Sequence, residues 1–148
     1  MKALNRWFGS DLAREMARMS RLDAEVPFII SLPGEDASDV FLEGEIDLLG
    51  LDEDGSHARI VDYKTGGWSG ETQRDLQMKH VLQAACYAYA VLLQGVQSVE
   101  ADFVRVERGC ADAPQQPQCV RYRFEQEEVP QLAQAIAEAY AQAQGRSI

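Results

Sequence analysis

The chain has 148 residues, 46% of them hydrophobic and 26% charged, with a formal net charge of −10. That length suits one domain spanning residues 1–148 with a real core, and the composition is that of a globular protein. The charge weighs against broad nucleic-acid binding, no apolar run is long enough to span a bilayer, and none reads as a signal peptide. Cys86, Cys110 and Cys119 form no CxxC pair, which points to a reducing compartment, expected to be the cytoplasm, and against a disulfide framework. They are also too few for an all-cysteine iron–sulfur cluster, so none is expected.

In chain order, Ser10 can cap a helix over roughly 11–22, with Leu12, Met16 and Met19 on one face. Arg14, Arg18 and Arg21 fall on a neighbouring face and read as a solvated helix surface rather than a phosphate contact. EVPFIISLP (25–33) is a strand between two prolines, and a polar turn follows. Residues 39–65 form two strands around an Asp54-Gly55 turn signal. A long helical pattern covers 71–94 and ends at Gly95, a plausible C-cap. VEADFVRVE (99–107) is a strand, 109–119 a polar loop, VRYRFE (120–125) a short strand and 129–144 an Ala-rich closing helix. The order αβββαββα predicts an α/β or α+β domain with a small mixed sheet.

The hairpin carries the chemistry. A two-residue turn at Asp54-Gly55 opposes residues whose numbers sum to 109, pairing Asp47 with Asp62 and Glu45 with Lys64 on one face. Opposed β-carbons sit about 4.5–5.5 Å apart, so the two carboxylates repel unless a cation lies between them; hard oxygen ligands suit Mg²⁺. The main-chain carbonyl of Tyr63 would add a third oxygen. Lys64 beside them would orient a water or stabilise charge on a phosphate. The other face offers Ile46, Leu48, Val61 and Tyr63 to a core. For an isolated D-x-K in a strand, a solvated ion-pair network is the favoured account.

GEIDLL (44–49), IVDYKT (60–65) and QAACY (83–87) together resemble the RecB-like branch of the PD-(D/E)XK nucleases. Its pattern is G-x-I-D, then (I/V)-(V/L)-D-Y-K-(T/S), then Q-x-x-x-Y on the following helix. EVPF (25–28) also looks like the segment before the first motif in AddA-type helicase-nucleases, so the match runs from about residue 25 to 105. The resemblance implies a restriction-endonuclease-like αβββαβ core with a small mixed sheet flanked by helices. It implies exonuclease-like hydrolysis of DNA phosphodiesters in a recombination-repair helicase-nuclease, with Mg²⁺ as cofactor and Mn²⁺ able to substitute. Asp47 then corresponds to the metal-bridging carboxylate, Asp62 to the second metal ligand and Lys64 to the catalytic lysine. Gln83 and Tyr87, one helical turn apart, would contact the substrate backbone, although Tyr87 also suits core packing with Ala84, Ala88 and Val91. Glu25 is a weaker candidate that could simply end its strand. DNA and helicase motor domains are the implied partners, with no membrane.

One departure stands out. The family's G-x-x-x-H histidine is missing, because no histidine precedes His57. His57 is expected exposed in the hairpin turn, and His80, three residues before Gln83, is expected at a surface or packing position. The missing ligand suits a fragment of a larger helicase-nuclease, whose motor domains would hold the DNA. The rival is an inactive module of the same fold with a structural or docking role. A resolvase or restriction enzyme is a third reading, less favoured by the Q-x-x-x-Y helix.

Overall fold

The computed structural model describes residues 7–33, 39–64, 73–109 and 116–146. Their elements are α1 (Asp11–Ala17), β1 (Arg21–Pro33), β2 (Asp39–Leu51), β3 (His57–Tyr63), α2 (Gln73–Leu92), β4 (Ser98–Gly109) and β5 (Pro117–Glu125). A 3₁₀ turn (Gln126–Glu128) then leads into α3 (Val129–Arg146). The strands form one sheet in chain order, antiparallel everywhere except the parallel β3–β4 pair. Parallel neighbours need a long crossover, and α2 supplies it.

Because strand side chains alternate, the sheet serves two cores. Ala58, Ile60, Val99, Ala101 and Phe103 pack with Ala84, Tyr87, Ala88 and Leu92 of α2 and with Leu132 and Ile136 of α3. Val61 and Val104 face the other way and meet Leu12 and Met16 of α1, with Leu48 and Trp7 against them. Cys86 and Cys119 form no disulfide among the described residues; Cys110 lies outside them.

The first helix is shorter than its pattern suggests. Ser10 does cap it, its hydroxyl accepting the Ala13 N–H at 3.1 Å, but it ends at Ala17. From Arg21 onward the backbone pairs with β2, Arg21 opposite Leu51 and Ala24 opposite Leu48, so the sheet takes residues that helical periodicity alone would extend. Of the three arginines only Arg14 is therefore helical. It pairs with Asp11, and Arg21 pairs with Asp23, at exposed positions. At the other end, β5 starts at Pro117, inside the stretch expected to be loop.

The β2–β3 hairpin keeps its expected register through a longer loop. Leu48 opposes Val61 and Leu51 opposes Ala58. The loop spans four residues, Glu53 to Ser56, rather than two. Asp52 N–H reaches the His57 carbonyl, and Gly55 N–H the Asp52 carbonyl, both at 3.1 Å. One residue added on each side leaves the pairing unchanged. Gly55 adopts φ +71°, a conformation open to glycine at little cost. His57 begins β3 instead of sitting in the turn, and it hydrogen-bonds Ser98 at 2.5 Å.

Where the β1–β2 ladder meets the hairpin's open end, its pairing is interrupted at one position. Ladder β1–β2 is regular on both sides of one gap, between Ala24↔Leu48 and Val26↔Ile46. In that gap Glu25 stands opposite Asp47 with φ +54°. Glu25 thus lies mid-strand and does not end one. The alternation shifts there: Ile46 before Asp47 and Leu49 and Leu51 after it all pack in the larger core. Ile46 therefore does not share a face with Leu48 and Val61.

Candidate active site

The open end of the hairpin collects the candidate side chains. Ladder β2–β3 ends at Leu48↔Val61, so Asp47 and Asp62 are not a hydrogen-bonded cross-strand pair. Asp47 instead turns its carboxylate onto the backbone, where Oδ2 accepts the Tyr63 N–H at 2.8 Å. Lys64 N–H goes to the Val104 carbonyl of β4 at 2.8 Å. The end of β3 is thus tied to β4 on one side and to a side chain of β2 on the other. Glu45, expected opposite Lys64, is instead exposed and opposes Pro27 of β1.

Asp62 is only 4% exposed, a place where a carboxylate needs partners. It has two. Lys64 Nζ lies 3.0 Å from Oδ1, and the Tyr87 hydroxyl donates to Oδ2 at 2.7 Å. Lys64 Nζ also donates to Gln83 Oε1 at 2.7 Å, and Gln83 Nε2 donates to the Tyr87 hydroxyl at 2.6 Å. Asp62, Lys64, Gln83 and Tyr87 therefore close a ring in which the donors run toward one carboxylate. One helical turn of α2 separates Gln83 from Tyr87, so both descend onto β3 together.

Electrostatics follow from this crowding. Burial raises the Asp47 pKa above the ordinary carboxylate value, and the charges of Asp62 and Glu25 add to it; the Tyr63 N–H and Lys64 oppose the shift. The Tyr63 phenol is pushed up to about 12 by burial and by the Asp47 charge. Tyr87 is raised further, by burial and then by its hydrogen bond to Asp62. It therefore remains a protonated donor at any physiological pH.

Two aromatic positions and a glycine complete the site, and periodicity gave no sign of their roles. A Cβ on Gly44 would fall 2.7 Å from Cζ of Phe28. Only glycine leaves room for that ring to cross β2, and the ring then meets Tyr87 edge-on at 5.6 Å. The Gly of GEID and the Phe of EVPF thus brace the Tyr of QAACY. Phe103, opposite Asp62 in the parallel ladder, lies under Lys64. His80 is buried and stacks on Phe103 at 5.0 Å, a packing position. Among the described residues no three His, Cys, Asp or Glu side chains converge as a metal cage. What is present is a pair of hard oxygen donors, Asp47 and Asp62, raising each other's energy. That donor chemistry fits a divalent cation completing its shell with a carbonyl and water.

A five-stranded mixed sheet flanked by helices, presenting acids and a lysine at the end of its parallel pair, defines a restriction-endonuclease-like nuclease domain. The chain belongs to the PD-(D/E)XK nuclease superfamily, which matches it over residues 2–148; members generally use divalent metals such as Mg²⁺. It is 31% identical over 87 residues to an ATP-dependent helicase/nuclease protein of Anoxybacillus flavithermus. That alignment covers 57% of the chain and 7% of the longer protein, so the chain corresponds to a small part of its relative. The solved structure of SSO0001 is similar over 86% of this chain and 55% of its own, with a TM-score of 0.47 and 11% identity. No helix among the described residues is long and apolar enough to cross a membrane.

Proposed function

We propose that the chain is a metal-dependent DNA nuclease module of a RecB/AddA-type helicase-nuclease, cutting phosphodiesters in the manner of an exonuclease. The observation that best supports this is the closed ring around Asp62. A surface ion-pair network would not bury its carboxylate and cover it with a tyrosine and a glutamine from another element. Asp47, Asp62 and the Tyr63 carbonyl would hold Mg²⁺, or Mn²⁺ in its place, and the cation would supply positive charge beside the attacked phosphate. Lys64 lies 3.0 Å from Asp62, close enough to orient an attacking water or meet the charge that develops on phosphate oxygen. Gln83, bonded to Lys64 and Tyr87, and Tyr87, bonded to Asp62, position the strand. Motor domains of the larger assembly would hold the DNA, which relieves a module of net charge −10 from gripping it alone.

A second reading, an inactive docking module, draws on that charge and on the absence of any histidine before His57. One experiment separates them. The purified chain is incubated with linear single- and double-stranded DNA plus Mg²⁺ or Mn²⁺, beside Lys64→Ala. Cleavage that vanishes in the variant establishes the nuclease. A chain that neither binds the cations nor cuts, even with the upstream segment of its parent protein restored, is the docking module.

A further inference from the structure

Phe103 is the direct partner of Asp62 in the parallel β3–β4 ladder, and it is 1% exposed. Its ring is held from several directions. His80 stacks on it at 5.0 Å with planes 6° apart, Tyr87 lies nearly parallel at 6.2 Å, and Tyr122 meets it edge-on at 5.7 Å. Lys64 Nζ stands over this ring, 5.5 Å from its centroid. A ring so enclosed presents a fixed, electron-rich face, and an ammonium within about 6 Å of its centroid is attracted to it. The same ammonium reaches sideways to Asp62 and Gln83. Those two contacts define a direction, while the ring defines a height. Filling this part of the core needs volume alone, which Leu or Met would supply. An aromatic face under the ammonium does more.

We propose that Phe103 is a positioning residue whose π face sets the place from which the Lys64 ammonium acts on substrate. This rests on the nuclease reading of the site. The test keeps shape and changes only the ring's charge distribution: mono-, di- and trifluorinated phenylalanines are installed in place of Phe103. Cleavage of linear DNA with Mg²⁺ is then followed. The expected result is a stepwise fall in kcat, about tenfold across the series, with KM and melting temperature unchanged. Phe103→Leu, which removes the ring, should match or exceed the last member of the series. A flat series, or full kcat in a folded Phe103→Leu, overturns the inference while leaving the nuclease in place. A chain that cuts no DNA with either Mg²⁺ or Mn²⁺, even with the upstream segment of its parent protein restored, overturns the nuclease reading beneath it.

Discussion

Replacing Tyr87 with Phe removes one oxygen from a ring of four side chains and leaves everything else in place. The lost hydroxyl donates to a buried carboxylate at 2.7 Å and accepts from Gln83 at 2.6 Å. A hydrogen bond to a charged group contributes about 1.5–3 kcal/mol. Gln83 is only partly buried, so its amide can turn to water, and the aromatic contacts with Phe28 and Phe103 survive. The net cost should therefore be about 2 kcal/mol, a drop of roughly 4–8 °C in Tm for a chain of this size. Urea denaturation in EDTA at neutral pH measures it, and Asp62→Asn with the double variant completes the cycle. A coupling of about 1 kcal/mol or more between the two positions is expected, because they touch. Loss below about 0.5 kcal/mol, with additive single changes, would refute the idea that the ring holds Asp62 in its place.

Three further outcomes follow from the same geometry. Gly44→Ala drives a methyl to within 2.7 Å of a Phe28 ring already braced by Tyr87; calorimetry should show a loss of about 1–3 kcal/mol, restored by adding Phe28→Leu. Glu25→Gly relieves a positive φ of 54° and removes a charge facing Asp47, so metal-free protein should gain about 1 kcal/mol in a denaturant titration. Asp47→Asn should stabilise the metal-free fold at neutral pH, because burial and Asp62 raise the native carboxyl above its ordinary 3.8. A raised acid binds protons more tightly when folded, so the wild type loses stability as pH climbs through that window. The advantage of Asn should therefore fade as pH falls toward 3.8 and be gone below it, and Mg²⁺ should stabilise the wild type more than the variant.

Much of the site was legible because its parts are local. The Asp-Gly signal at 54–55 set the hairpin register even though the loop is longer, since residues were added symmetrically. The spacing of Gln83 and Tyr87 put both on one face of a helix, whatever that helix packs against. What escaped were features decided by distant partners. Residues 18–22 suit a helix as well as a strand, and only the backbone of β2 decides between them. Glu45 and Lys64 part company because the β2–β3 ladder stops at Leu48↔Val61, next to the positive φ of Glu25, and no local pattern calls for positive φ at a glutamate. Phe103 reads as one apolar position in an alternating strand. Its place beneath Lys64 depends on where α2 returns the chain to the sheet.

That return has a consequence for how the site comes into being. Asp62 and Phe103 are neighbours in the ladder but 41 residues apart in sequence, and Gln83 and Tyr87 arrive on the segment between them. A ribosome finishing β3 has released both acids and the lysine without anything to organise them. Contacts that close long loops form late, after their entropy cost can be offset by packing. The ring around Asp62 should thus assemble in a single step, when β4 zips beside β3 and carries α2 down onto it. A half-made chain would hold acids and a lysine with no ring to align them, unarmed until the sheet is complete.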